Sequence, residues 1–219
     1  MVACAPVKGR FITFEGVDGS GKSTQLERLA RRLRATGRDV VTTREPGGTP
    51  LGDRIRSLVL ETGAHRPTPY TELALLFASR AQNLDELILP ALRRGAVVLC
   101  DRFTDASEAY QGVARGLGRQ TIRAMDTLIC RGHQPDLTLI FDIDATTSLA
   151  RARQRLTRSK SREGRFEQED AAFFESVRLA YLAIAAREPG RCRLIAAGGD
   201  GDAVEAAVWA AVSAHLEET

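Results

Sequence analysis

Apolar and polar positions follow a rhythm whose period changes along the chain. Phe11-Ile-Thr-Phe-Glu15 is short, β-branched and aromatic, and predicts a strand. Leu26, Leu29, Ala30 and Leu33 then recur at helical spacing, predicting a helix that stops at Gly37. Asp39-Val-Val-Thr-Thr-Arg-Glu45 reads as a second strand, ending in a Pro46-Gly-Gly48 turn. Helical spacing resumes over about 51–60 and again over about 71–94, the latter long enough to cross a domain despite Pro90. Ala96-Val-Val-Leu-Cys100 is an uninterrupted apolar run, as expected of a strand buried on both faces of a parallel sheet, and it ends in Asp101-Arg102. Leu137-Thr-Leu-Ile-Phe141 repeats the pattern before Asp142, and Arg193-Leu-Ile-Ala196 predicts a fifth strand. Strands alternating with helices imply a three-layer α/β/α fold with a parallel five-stranded sheet. Such sheets bind ligands at the carboxyl ends of their strands, where Glu45, Asp101 and Asp142 lie.

Between the first strand and first helix stands Gly16-Val-Asp-Gly-Ser-Gly-Lys-Ser23, which matches the phosphate-cradle pattern G-x-x-x-x-G-K-[ST] at every fixed position. Glycines let successive N–H groups converge on phosphate oxygens, and the helix beginning near Lys22 adds its positive dipole end. Lys22 is placed for the β and γ phosphates, and the Ser23 hydroxyl for the Mg2+ that bridges them. The loop, Gly16, Val17, Asp18, Gly19, Ser20, Gly21, Lys22 and Ser23 with the adjoining Thr24, is the candidate ATP site of a P-loop NTPase fold.

Composition narrows the picture. A chain of 219 residues, 43% hydrophobic, can bury a core as one domain, and no repeat or low-complexity linker divides 1–219. A net charge of +3 lacks the basic footprint of a nucleic-acid partner. Cys4, Cys100, Cys130 and Cys192 are widely separated, without C-x-x-C or histidines at metal-ligand spacing, and read as reduced thiols. Met1 to Lys8 lacks the apolar core of a leader, and no apolar run reaches the roughly 18 residues of a membrane span. A cytoplasmic enzyme is expected. A guanine-nucleotide switch is disfavoured because the sole asparagine, Asn83, precedes Leu84, so no Asn-Lys-x-Asp reader exists. Size favours a small-molecule kinase over a motor or transporter ATPase.

Thr43-Arg-Glu-Pro-Gly-Gly-Thr49, Asp101-Arg102-Phe103, Ala109-Tyr-Gln-Gly112 and Arg165-Phe-Glu-Gln-Glu169, in this order after the phosphate loop, resemble bacterial thymidylate kinases over nearly the whole chain. The resemblance implies phosphorylation of dTMP by ATP with Mg2+, a homodimer, and a divided site. Phe77 and Arg80, three apart on one helix, would stack on and bond the thymine, although by themselves they better suit a core phenylalanine and a surface arginine. Some relatives place the aromatic four residues before the arginine. Ser107 and Gln111 match positions that contact the pyrimidine, and Tyr110 one that sits against the sugar. Arg56 and Arg102 are candidates for the acceptor phosphate, ahead of Arg44 and Arg54. Asp101 resembles a magnesium ligand acting through water, and Asp18 the acidic residue that orients the acceptor sugar or a nearby arginine.

Arg151, Arg153, Arg155, Arg158, Lys160, Arg162 and Arg165 crowd one segment, and with Ser159, Ser161 and Gly164 suggest a mobile lid over about 151–168 rather than a solvated face. Some family members carry an arginine in the phosphate loop after the acidic residue; here that position is Gly19. The lid should then supply it, first from Arg155 and Arg165, with Arg151 and Arg158 as alternatives, and Glu167 would help hold the closed lid. Adenine contacts are expected from the lid base and the Ala197-Gly-Gly-Asp-Gly201 turn. The three histidines, His65, His133 and His215, have no role because the acceptor phosphate needs no general base. The alternatives are a kinase for another nucleoside monophosphate and a nucleotide switch without an acceptor.

Overall fold

The computed structural model describes residues 9–62, 66–159 and 163–217. Within them a parallel sheet of five strands forms: β1 (Arg10–Gly16), β2 (Val40–Arg44), β3 (Val97–Asp101), β4 (Leu137–Asp142) and β5 (Cys192–Ala196), in the spatial order β2-β3-β1-β4-β5. β1 is central, and the chain moves to opposite sides of it to place β3 and β4, so a crevice opens at its carboxyl end.

Helices cover both faces: α1 (Lys22–Ala35), α2 (Pro50–Leu60), α3 (Pro69–Asn83), α4 (Leu89–Arg93), α5 (Thr104–Ser107), α6 (Arg119–Cys130), α7 (Ala145–Ser159), α8 (Ala171–Arg187) and α9 (Gly201–Glu217). The single helix expected over 71–94 is three pieces in line, because a π-helical turn, Leu84–Ile88, separates α3 from α4. Pro90 then falls in the first turn of α4, where the wider register spares the bond its missing N–H would have made. A second π-helical stretch, Glu108–Ala114, follows α5.

Period-two alternation divides the core between the sheet's faces. Ile12, Phe14, Val97 and Leu99 join one apolar cluster, while Phe11, Val98 and Cys100 join the other. Cys100, Cys130 and Cys192 are free and buried, and burial raises each thiol above its ordinary range; Cys4 lies outside the described residues. No helix among the described residues is long and apolar enough to cross a membrane.

Candidate active site

The site begins where β1 hands over to the loop ahead of α1. Lys22 is buried and donates Nζ to the carbonyls of Gly16 (3.0 Å) and Val17 (2.8 Å) and to Ser20 Oγ (3.4 Å). Gly16, Val17 and Ser20 thus hold the ammonium, while Asp18, Gly19, Gly21, Lys22, Ser23 and Thr24 line a cavity of about 1160 Å³, counted to its open mouth. Burial, then the charge of Arg102, pushes the Lys22 ammonium down to about 8. Gly19 adopts φ +84°, and a Cβ there would stand 2.1 Å from the backbone oxygen of Ser148 in α7. α7 therefore occupies the space a side chain at 19 would need.

Ser23 Oγ donates to Asp101 Oδ2 at 2.5 Å across the cavity wall. Two oxygen donors at the base of a phosphate cradle suit a hard divalent cation such as Mg2+.

Arg102 immediately follows β3 with φ +74°, a left-handed conformation costing roughly 1–2 kcal/mol for a non-glycine residue. Polar contacts hold it there. Nη2 donates to Asp18 Oδ1 (2.9 Å) and the Tyr110 hydroxyl (3.0 Å), and Nη1 donates to the Tyr181 hydroxyl (3.1 Å). Burial would raise the Asp18 carboxyl, but Arg102, Lys22 and Arg155 together hold it well below the usual carboxylate range. Behind Arg102 the fully buried Glu15 accepts from the Phe103 N–H (2.6 Å) and from the Tyr181 hydroxyl (2.8 Å), so one carboxylate braces Arg102 through its backbone neighbour and its side-chain partner. Burial and the Asp105 carboxylate push Glu15 up to about 8 against the pull of Arg102.

A second cavity of about 550 Å³ adjoins the first. Leu60, Leu76, Ala106 and Phe166 form its apolar walls, and Arg80, Ser107, Tyr110 and Gln111 supply polar atoms. Arg80 is buried and donates to Glu45 Oε2 (2.6 Å), the Phe103 carbonyl (3.0 Å) and Ser107 Oγ (3.1 Å), while its Nη1 has no partner. Burial raises the Glu45 carboxyl, opposed by Arg80. Phe77 is placed differently from the expected base-stacking face. Its fully buried ring lies 4.4 Å beneath the Arg80 guanidinium and packs in the core, and Leu76 faces the cavity instead. Neighbours on a helix are turned about 100° apart, so only one of the two can face the cavity.

The remaining basic residues separate by environment. Arg56 lines both cavities, donating to Glu163 Oε2 (2.8 Å) and the Pro46 carbonyl (3.1 Å). Arg44 is exposed with Asp53 at 3.3 Å, and Arg54 is exposed. On α7, Arg155 lines the phosphate cavity and reaches Glu167 Oε1 (3.3 Å), whereas Arg158 is exposed and Arg151 points to the Ala197 carbonyl at 3.5 Å. Arg165 departs from its expected place beside Arg155. It is buried, donating to the Val59 carbonyl (2.6 Å) and pairing with the Glu72 carboxylate, and it lines neither cavity. A carboxylate as buried as Glu72 demands such a cation. Lys160 and Arg162 lie outside the described residues, as does His65. The Ala197–Gly201 turn is tied to α1 where Gln25 Nε2 donates to the Gly201 carbonyl (2.9 Å).

Sequence patterns did not single out Glu72, Leu76 or Tyr181; Glu72 and Tyr181 bond partners remote in sequence. Glu15 carried one signal, a charged residue at the end of an apolar strand.

A family model described as thymidylate kinase matches residues 14–208. The chain is 51% identical to the thymidylate kinase of Pseudomonas entomophila, covering 96% of this chain and 98% of that protein. It is 48% identical to the thymidylate kinase of Trichlorobacter lovleyi, covering 94% of this chain and 98% of that protein. The crystal structure of thymidylate kinase from Ehrlichia chaffeensis superposes with a TM-score of 0.75 at 30% identity, covering 94% of this chain and 99% of that one. With a match of this extent joined to two adjoining cavities that share a wall of two arginines and two carboxylates, the chain belongs to the thymidylate kinase family.

Proposed function

We propose that the γ-phosphoryl group of ATP passes in line to the 5′-phosphate of dTMP across the wall between the two cavities. The chain phosphorylates dTMP to dTDP as a member of its family. The observation that carries the geometry is that Asp18, Glu45, Arg56 and Arg102 line both cavities. Nucleotide phosphates in the larger cavity and an acceptor phosphate below the base in the smaller one would meet beside two guanidinium groups.

Lys22 would leave its loop carbonyls for the β and γ phosphates, and Arg155 would neutralise charge developing on the transferred group. Ser23, with Asp101 behind it, would hold Mg2+, which when bound supplies charge neutralisation between the phosphates. Arg102 and Arg56 would hold the acceptor dianion. That dianion is already a nucleophile near neutral pH, so positioning and charge supply the catalysis. Arg80 Nη1, Ser107 and Gln111 would bond the base, and Tyr110 would sit against the sugar.

We read 1–219 as one nucleoside monophosphate kinase-like domain with its lid over about 151–168, working in the cytoplasm. Pairing with a second copy would cover the apolar groove between α3 and α6, lined by Tyr70, Leu73, Ala74 and Met125; light scattering reads the assembly directly. The activity is tested with ATP and a panel of dTMP, dUMP, CMP and AMP, following ADP and nucleoside diphosphate. The expected outcome is rapid dTDP formation. Preferred turnover of CMP or AMP, or phosphate release independent of any acceptor, would overturn the reading.

A further inference from the structure

We infer that Glu72 and Arg165 set which pyrimidine the smaller cavity accepts, by fixing the side-chain amide of Gln111 with its oxygen toward the base. The inference rests on the proposed function, which places the acceptor base in that cavity.

Glu72 lies on α3 and is 1% exposed, without water to solvate its charge. Its Oε2 is paired with the Arg165 guanidinium, and Arg115 Nε stands 3.8 Å from Oε1. That Oε1 also accepts from Gln111 Nε2 at 2.6 Å. A carboxylate held between cations can only accept, so Gln111 must turn its NH2 to Glu72. Its Oε1 is left for the cavity, which Gln111 lines. Among the buried polar atoms of the described residues that lack a partner, Arg80 Nη1 is the one whose residue lines the same cavity.

Gln111 Oε1 and Arg80 Nη1 thus set a fixed acceptor beside a fixed donor. A 4-oxo pyrimidine with a proton on N3, as in thymine or uracil, presents the complementary carbonyl and N–H. Cytosine presents an amino group and an unprotonated N3, mismatched at both atoms, and each mismatch leaves a buried group unpaired. Arg165, whose charge suggested a phosphate-facing role, acts here as a positioning residue two contacts removed from the base.

The test compares kcat/KM for dTMP and dCMP in wild type and in Glu72→Gln, with thermal melts to show folding. Gln at 72 accepts as well as donates, so the Gln111 amide is free to turn over. The dTMP-to-dCMP ratio should fall by ~10-fold or more, through a higher KM for dTMP with kcat nearly kept. An unchanged ratio in a folded variant would overturn the inference, and so would a loss confined to kcat and equal for both acceptors. Should Glu72→Gln fail to fold, Arg165→Lys serves: it keeps the positive charge but lacks the fork that orients Glu72, and an unchanged ratio there is equally fatal. On the wild type, N3-methyl-dTMP should be a poor acceptor next to dTMP, and equal kcat/KM would also overturn it. Wild-type protein that does not turn over dTMP at all would remove the proposed function instead.

Discussion

Gly19 and Ser148 are packed so closely that the Ser148 carbonyl oxygen lies 2.1 Å from where a Cβ on Gly19 would be. The phosphate loop and α7 are thus fitted to each other with no room for a side chain at 19. A loop carrying arginine at 19 would require a different path for α7.

Gly21 provides the control. It also has positive φ, at +90°, but a Cβ there would meet nothing within 4 Å. In nucleotide-free protein Gly21→Ala should cost roughly 1–2 kcal/mol of backbone strain. Gly19→Ala should cost more and lower kcat as α7 is displaced. Thermal melts of the two variants check this, and equal losses would show that the α7 contact adds nothing.

Arg155 and Arg165 should behave differently on removal. Arg155 lines the phosphate cavity with its side chain 58% exposed, so Arg155→Ala should fold normally and lose on the order of 10²–10³ in kcat with little change in dTMP KM. Arg165→Ala strips a buried carboxylate of its cation and should destabilise the fold by about 3–5 kcal/mol. Rates and denaturant midpoints measured together separate the two outcomes.

The depressed Lys22 ammonium gives a pH signature of defined sign. Burial lowers its folded value to about 8 from the ordinary 10.5, so between those values the unfolded chain binds more protons and this lysine makes stability rise with pH. Polyphosphate reverses the balance by favouring the charged form. Near pH 8.5, ATP binding should therefore take up roughly half a proton or more. Calorimetry in buffers of different ionisation heat reads the uptake, which Lys22→Met should abolish.

Tyr181 stands between Arg102 and Glu15. Tyr181→Phe removes the hydroxyl and leaves the Arg102 guanidinium and the buried Glu15 carboxyl each one partner short, an effect worth about 1–3 kcal/mol. The loss should fall mainly on dTMP KM. Steady-state kinetics with each substrate varied in turn checks it; a loss confined to ATP KM would contradict the brace.

These contrasts show what a linear reading can reach. The phosphate loop was legible because its chemistry is local: Lys22 bonds the carbonyls of residues only five and six positions earlier. Asp101 and Arg102 were legible because a buried parallel strand must end at the ligand face. Tyr181 was not, since it meets Glu15 across 166 residues and nothing in the spacing of either announces the other. Phe77 and Arg165 illustrate a different limit. Their residue types suited a site, but helix phase turned one into the core, and the demand of Glu72 for a cation drew the other inward. The π-helical turns were likewise invisible, because helical periodicity does not record a one-residue change in hydrogen-bond register.

The unpartnered Arg80 Nη1 bears on how the ligand-free protein stands energetically. A desolvated donor with no acceptor is a defect that folding tolerates at a cost of about 1–3 kcal/mol, and a base carbonyl bonded there, as proposed, would remove that cost. Acceptor and fold are then linked by mass action: acceptor at about 100 times its dissociation constant would add about 2.7 kcal/mol to the stability of the whole chain.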